Sequence, residues 1–362
     1  MNDLSFDSMD QGLAMSQQDS SSDSLSRSDD SSLPFTDQSP SRSEIETCQL
    51  ARLNAMLGRV REHSAFYRKH LPFFDLESLE QLVELPFTSA EDIVMHGPAF
   101  LSVPAQEVSR MVAIPTSGTQ GVRKRIACTE ADLEGTRAFF AEGIRCIARP
   151  GEATAVLFPC GTAGSLGRLI ADALRRIGAR VLLLGLPHDP GKTLRELSRA
   201  STTSVVGSAR TMLNLARHST EGGPRPPIAR VLLSSDNASD AVKDEIAHTW
   251  GCEVFEHYGM TETGFGAAVD CRAHAGMHLR ERDLIVEIVD PATGNPLPDG
   301  KEGEVVVTTL TREAMPLIRY RTGDVSHIIA GDCPCGGTLR RLGRVHGHAL
   351  VTPGPNPPSW KL

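Results

Sequence analysis

Residues 116–124 read Thr-Ser-Gly-Thr-Gln-Gly-Val-Arg-Lys and follow directly on the apolar run Met-Val-Ala-Ile-Pro. Hydroxyls and glycines let backbone N–H groups close on an anion, and Lys124 with its Arg neighbours adds positive charge. That is the chemistry of a phosphate-holding loop. It is not a Walker A loop, because Arg123 stands where Gly followed by Lys and Ser/Thr would be required. Standing alone, the run is equally an ordinary Gly/Ser turn. A second glycine run, Gly161, Gly164 and Gly167, follows the strand-like Ala-Val-Leu-Phe-Pro. Its first spacing is one residue too long for a dinucleotide fold, so it predicts a tight strand-to-helix turn.

A different chemistry is written in the cysteines. Cys333-Pro334-Cys335-Gly336 places two thiols on one turn, and Cys271, His274 and His278 stand upstream. Three Cys and one His make a closed tetrahedral zinc site. Spacing leaves either His274 or His278 as the fourth ligand, and a set of small buried thiols fits as well. Cys48, Cys128, Cys146 and Cys252 match no ligand spacing and are expected in core or surface positions.

The elements that must position these groups follow from periodicity. Leu50, Leu53, Met56, Leu57 and Val60 recur at helical spacing and predict an amphipathic helix over 46–63. From Met111 onward, short apolar runs alternate with helical stretches: MVAIP, ATAVLFP, ARVLLLGL, TSVVGS, ARVLLSS and CEVFEHYG. The segments LGRLIADALRRIG and ASDAVKDEIAHTW lie between them. This alternation predicts an α/β fold, a parallel sheet with crossover helices. After Leu284 the pattern becomes LIVEIVD, a Pro/Gly-rich turn and EVVVTTL, which predicts antiparallel strands. The organisation expected is a tail at 1–43, an α/β core at 44–269, a small β-rich, barrel-like subdomain at 270–347 and a Pro-rich end at 348–362.

Composition sets outer limits. The chain has 362 residues with 40% hydrophobic and 23% charged side chains, which excludes collagen-like, membrane-bundle and wholly disordered classes. Residues 1–43 hold eight Asp, two Arg and 14 Ser and account for most of the net charge of -8. Such a segment cannot bury enough apolar area to offset its ordering entropy, so disorder is expected there. The near-neutral body argues against nucleic acid as a partner. The acidic start has no basic n-region or apolar h-region, no apolar run reaches membrane-spanning length, and the cysteine spacing is no secreted disulfide framework. The expectation is a cytoplasmic protein with no membrane partner.

Three further segments change the meaning of the loop. They are Glu256-His257-Tyr258-Gly259-Met260-Thr261-Glu262, Arg319-Tyr320-Arg321-Thr322-Gly323-Asp324 and Leu342-Gly343-Arg344. Each alone is weak, since Tyr-Gly and Thr-Gly-Asp turns are common. In this order and at these separations, over about 49–347, they resemble the adenylate-forming superfamily of acyl-CoA synthetases, in its phenylacetate–CoA ligase-like branch.

The resemblance implies an AMP-forming acid–CoA ligase that uses ATP, Mg²⁺ and CoA on a carboxylic acid. Thr116, Ser117, Gly118, Thr119, Gly121 and Lys124 would hold the β- and γ-phosphates. Tyr258 would stack on adenine, with Gly259 in its turn and His257, Ser234, Ser235 and Asp236 along the edge. Thr261 would contact phosphate, Glu262 would ligate Mg²⁺, Asp324 would accept from the ribose hydroxyls and Arg344 would sit beside ribose or phosphate. A carboxylate and a nucleotide are two anions, so this cluster of cation, metal-holding carboxylate and hydroxyls suits the attack. The branch's Cys pattern selects Cys271, His278, Cys333 and Cys335 as a structural zinc set. The acid is expected between the 161–167 turn and the 256–262 loop.

Gln120 and Arg123 replace the Thr and Pro of the family's loop pattern, which predicts looser positioning of ATP with added positive charge. Past Gly343-Arg344 the family continues into a mobile domain carrying a catalytic lysine. Here His346-Gly347-His348-Ala349 replaces the hinge's acidic pair, and Lys361 lies in the Pro-rich end. The resemblance therefore implies a chain without that domain, completed by a separate partner or working as a truncated enzyme, and in either case a possible homodimer. A non-catalytic nucleotide- and zinc-binding partner or sensor is the alternative reading.

Overall fold

A computed structural model describes residues 40–115, 123–220, 222–236 and 238–348. The tail at 1–39, the phosphate-loop residues 116–122 and the end at 349–362 lie outside the described residues. Helix α1 (Arg42–His63) begins inside the stretch read as tail. Ser41 and Glu44 form a capping box that ties down the first turn. The buried face of α1 is Ile45, Gln49, Leu53, Met56, Leu57 and Val60, the face its period predicts. Gln49 donates to the carbonyls of Glu281 and Leu284 at 2.9 and 3.0 Å, which fixes the helix on the later β-rich segment.

Short helices α2 (Tyr67–His70) and α3 (Ala90–His96) follow, then strands β1 (Arg110–Pro115) and β2 (Arg123–Cys128). These two pair only with each other, antiparallel, so MVAIP is not part of the parallel sheet that the alternation predicts. Its partner is the basic strand RKRIAC, and the pairing brings Ile114 opposite Lys124. The ribbon thus delivers the flanks of the phosphate loop, which a crossover helix could not do with so short a connection.

Helix α4 (Glu130–Gly143) leads into the main sheet. Strands β3 (Ala153–Leu157), β4 (Arg180–Leu183), β5 (Thr202–Gly207), β6 (Arg230–Leu233) and β7 (Glu253–Tyr258) are parallel, in the order β7-β6-β5-β3-β4. Helices α5 (Leu166–Arg176), α6 (Pro190–Arg199), α7 (Ala209–Thr220) and α8 (Asp240–Trp250) make the crossovers. Alternate strand residues face opposite layers. Val156, Val206, Leu232 and Phe255 pack with α4 and α5, whereas Ala155, Leu157, Val205, Val231 and Leu233 pack with α6, α7 and α8. Both faces are covered, which is why these strands read as unbroken apolar runs.

Strands β8 (Ala268–Asp270) and β9 (Met277–Leu279) then extend the same sheet antiparallel from β7. Strands β10 (Leu284–Val289), β11 (Gly303–Thr309) and β12 (Tyr320–Ser326) form an antiparallel sheet with Leu284 opposite Thr309. Strands β13 (Ile328–Ile329) and β14 (Arg341–Leu342) return to β9, and β15 (His346–His348) closes on β12. The boundary expected at 269/270 falls within β8. Backbone pairing through β8, β9, β13 and β14 makes one nine-stranded sheet across it.

Candidate active site

The site lies where the parallel strands end, beside the loop that follows β7. Gly259 makes the first turn possible: a Cβ there would stand 2.5 Å from the Phe265 carbonyl oxygen. The chain then forms a short 3₁₀ turn at Thr261–Thr263 that buries Glu262. Across from it, Lys124 on β2 pairs with Glu262 Oε1. Tyr320 at the start of β12 completes the cluster. Its hydroxyl accepts from Lys124 Nζ at 3.0 Å and donates to Glu262 Oε1 at 3.2 Å. Burial beside the Glu262 carboxylate drives the Tyr320 phenol strongly upward, so it stays a donor.

Tyr258 belongs to the same loop. Its hydroxyl donates to Asp324 Oδ2 at 2.8 Å, joining the Tyr-Gly and Thr-Gly-Asp motifs directly. Burial, then the Asp324 charge, holds this phenol well above its ordinary range. Tyr258 and Glu256 share one side of β7 and line a small cleft with Asp236, Ala238, Met277 and Arg344. Asp236 accepts from the backbone N–H groups of Ala209 and Arg210 at 2.7 and 3.2 Å, so it caps α7 as well as facing the cleft. Ser235 sits in the left-handed region, φ 77°, exposed on that turn. Arg344 pairs with Asp240 at 3.0 Å at the start of α8.

His257 points to the other side of β7. Its Nδ1 lies 2.8 Å from Ser234 Oγ, and its ring packs on Phe139 and Phe140 of α4. Burial, helped by the positive charge of Arg280, pushes it down to about 4, so the ring is neutral at pH 7. His257 also lines the cleft of Tyr258 and Asp236, while its imidazole packs against the helix layer.

The remaining motifs have structural work. Arg319 and Arg321 flank Tyr320 but are tied elsewhere: Arg319 grips Glu287 at 2.8 and 3.1 Å over the Phe87 ring, and Arg321 grips Glu304. The Gly161–Gly167 run is the tight turn predicted; a Cβ on Gly167 would meet the Phe158 and Pro159 carbonyls at 2.6 and 2.8 Å. Tyr320 is the residue that sequence reasoning left without a role, although it lies inside a quoted motif. A cavity of about 560 Å³ lies elsewhere, between α1, residues 77–83 and β10; Glu287 lines it, and no member of the Lys124–Glu262–Tyr320 cluster or of the Tyr258 cleft does.

Cys271, His278, Cys333 and Cys335 come together with all ligand atoms within 4.8 Å of one another. Cys271 Sγ is 3.7 Å from Cys333 Sγ, and Cys335 Sγ is 3.3 Å from His278 Nε2. A tetrahedron with metal–sulfur bonds of about 2.3 Å has sulfur–sulfur edges near 3.8 Å, so the set fits zinc, and the sulfurs are far too distant for a disulfide. His274 leaves the set, its ring bound to Asp270 at 2.7 Å and Glu253 at 2.9 Å. The cluster clips the β8–β9 connection to the turn between β13 and β14. Buried Arg341 steadies that turn through the carbonyls of Gly331 and Asp332.

A small cleft beside Tyr258 and the buried Lys124–Glu262–Tyr320 cluster both lie where the parallel strand β7 ends. The chain belongs to the AMP-binding enzyme family, whose model matches residues 47–311. It is 31% identical over 322 residues to the phenylacetate-coenzyme A ligase of Thermus thermophilus, covering 84% of this chain and 71% of that protein. The ligase of the same name from Escherichia coli is 27% identical, again with 84% and 71% covered. The fold is shared with 2-hydroxyisobutyryl-CoA ligase in an open conformation, in complex with 2-HIB-AMP and CoA. That match has a TM-score of 0.78 at 22% identity, over 88% of this chain and 80% of that one.

Proposed function

We propose that the chain activates a carboxylic acid with ATP as an acyl-adenylate and passes the acyl group to CoA. The carboxylate oxygen attacks the α-phosphorus and pyrophosphate leaves; the thiol then attacks the acyl carbon and AMP leaves. The observation that carries this reading is the Lys124–Glu262–Tyr320 cluster beside the Tyr258–Asp324 pair. Adenine and ribose would lie beside Tyr258, Asp236 and Asp324, with the phosphates toward Lys124 and Thr261. With nucleotide bound, Lys124 would leave Glu262 for phosphate.

Glu262 would hold Mg²⁺, a hard cation that takes carboxylate and phosphate oxygens and neutralises the charge between two anions. Cys271, His278, Cys333 and Cys335 would hold zinc with no open position, a structural role. Among the described residues no helix is long and apolar enough to cross a membrane. The eight free cysteines suit the reducing cytoplasm. Acid-dependent exchange of labelled pyrophosphate into ATP tests the first half-reaction. Exchange that tracks one acid class supports the reading, and no exchange with any acid rejects it.

A further inference from the structure

Gly343, in the Leu-Gly-Arg motif, makes room for an imidazole. A Cβ there would stand 2.4 Å from Cε1, 2.6 Å from Nε2 and 2.8 Å from Nδ1 of His327, closer than any real Cβ approaches. The His327 ring therefore fills the space that a side chain at 343 would take. The two residues are cross-strand neighbours. Ile329 pairs with Arg341 and Ile328 with Leu342, and the next step sets His327 against Gly343, whose N–H donates to the His327 carbonyl at 2.8 Å. His327 Nδ1 is enclosed and has no hydrogen-bond partner among the described residues, so that atom contributes packing and no bond.

The same short segment carries or holds two groups of the nucleotide cleft. Asp324 on β12 receives the Tyr258 hydroxyl. Two residues on, Ser326 Oγ lies 3.0 Å from the carbonyl oxygens of both Gly343 and Arg344. Arg344 lines the Tyr258 cleft, and its guanidinium rests 3.0 Å from Asp240 at the start of α8. Where so long a side chain reaches depends on the backbone that launches it. A glycine just before it leaves that backbone free to take many conformations. The ring packed on the Gly343 α-carbon removes that freedom.

We infer that His327 is a positioning residue for the nucleotide: its ring stands in for the side chain that Gly343 lacks and fixes the backbone from which Arg344 reaches the cleft. The inference rests on the nucleotide placement proposed above.

Calorimetric titration of the full chain with ATP and Mg²⁺ reads nucleotide binding alone, whether or not an acid is activated. The wild type, His327→Ala, Arg344→Ala and the double variant form one cycle. His327→Ala should weaken ATP about five- to tenfold and Arg344→Ala about tenfold or more. The double variant should match Arg344→Ala within about twofold, because His327 acts only through Arg344. A merely structural ring would give losses that multiply, and that result, or wild-type affinity in His327→Ala, overturns the inference. Gly343→Ala should bind more weakly than His327→Ala, since its methyl displaces the ring and the strand together. Adding His327→Ala to it should restore the His327→Ala affinity. A Gly343→Ala that binds like the wild type, or that His327→Ala does not improve, overturns the packing argument. Should His327→Ala fail to fold, Gly343→Ala takes its place in the cycle with Arg344→Ala, and losses that multiply again overturn the inference. A wild type that binds no ATP overturns the nucleotide placement and the inference with it, whereas ATP binding without pyrophosphate exchange overturns acid activation alone.

Discussion

The Tyr320 hydroxyl stands 3.2 Å from Glu262 Oε1 and links two motifs 58 residues apart. Lys124 reaches the same oxygen and the same hydroxyl, so the three polar heads form a closed triangle. If Lys124 turned to phosphate, Tyr320 would still donate to the carboxylate. Tyr320→Phe should therefore weaken exchange about tenfold and raise the Mg²⁺ concentration needed for half-maximal rate. Glu262→Gln should cost more, roughly 10²–10³ in rate. An unchanged Mg²⁺ titration in Tyr320→Phe would remove the positioning role.

The neutral state of His257 links stability to pH. Its folded value, about 4, lies below the ordinary 6.5, so the unfolded chain takes up a proton first as pH falls. Stability from this group is complete above about 6.5 and is lost progressively down to about 4, by roughly 3 kcal/mol. Denaturant unfolding of the wild type and His257→Leu, measured across pH 4–7, should show the difference between them shrinking on the acidic side. Parallel curves would contradict a buried neutral imidazole.

Zinc removal should unfold the edge of the large sheet. Structural zinc contributes roughly 10–16 kcal/mol in small peptides, comparable with a whole domain's net stability. Purified protein is expected to carry one zinc per chain, and a strong chelator or Cys333→Ser should lower Tm by many degrees. Zinc-free protein with an unaltered melting curve would refute the site.

Arg319→Ala should be severely destabilising, about 3–5 kcal/mol, without reference to chemistry. It leaves Glu287 buried with no cation, and burial already raises that carboxyl despite Arg319 beside it. Arg319 also bonds the carbonyls of Val83 and Leu85 at 3.0 and 3.1 Å. A loss under 1 kcal/mol in urea unfolding would show that the pair is not what holds this corner.

Gly259→Ala separates backbone geometry from side-chain chemistry. The added methyl meets the Phe265 carbonyl, so the 259–266 turn must open and carry Glu262 with it. Exchange should fall at least as far as in Glu262→Gln, while the zinc content stays at one. Full activity would show that the turn tolerates the shift.

Much of this protein is local and was therefore legible along the chain. The central strands β3, β5 and β6 announce themselves because both their faces are buried, and α1 does so through its 3.6-residue apolar period. The Tyr-Gly-Met-Thr-Glu, Thr-Gly-Asp and Cys-x-Cys groups carry their chemistry in residue type. Only tertiary structure decided the rest. Pairing of β1 with β2, rather than with the parallel sheet, depends on partners chosen in space. Spacing alone leaves His274 and His278 open and the family pattern points to His278; β9 lying against β14 brings His278 to the three cysteines, while Asp270 and Glu253 claim His274. Tyr320 meets Glu262 while Arg321 turns to Glu304, because one residue's step along β12 turns a side chain to the opposite face; Arg319, before the strand at φ 44°, reaches Glu287 instead. Sequence determines which groups are available, and strand parity and long-range packing determine which of them meet.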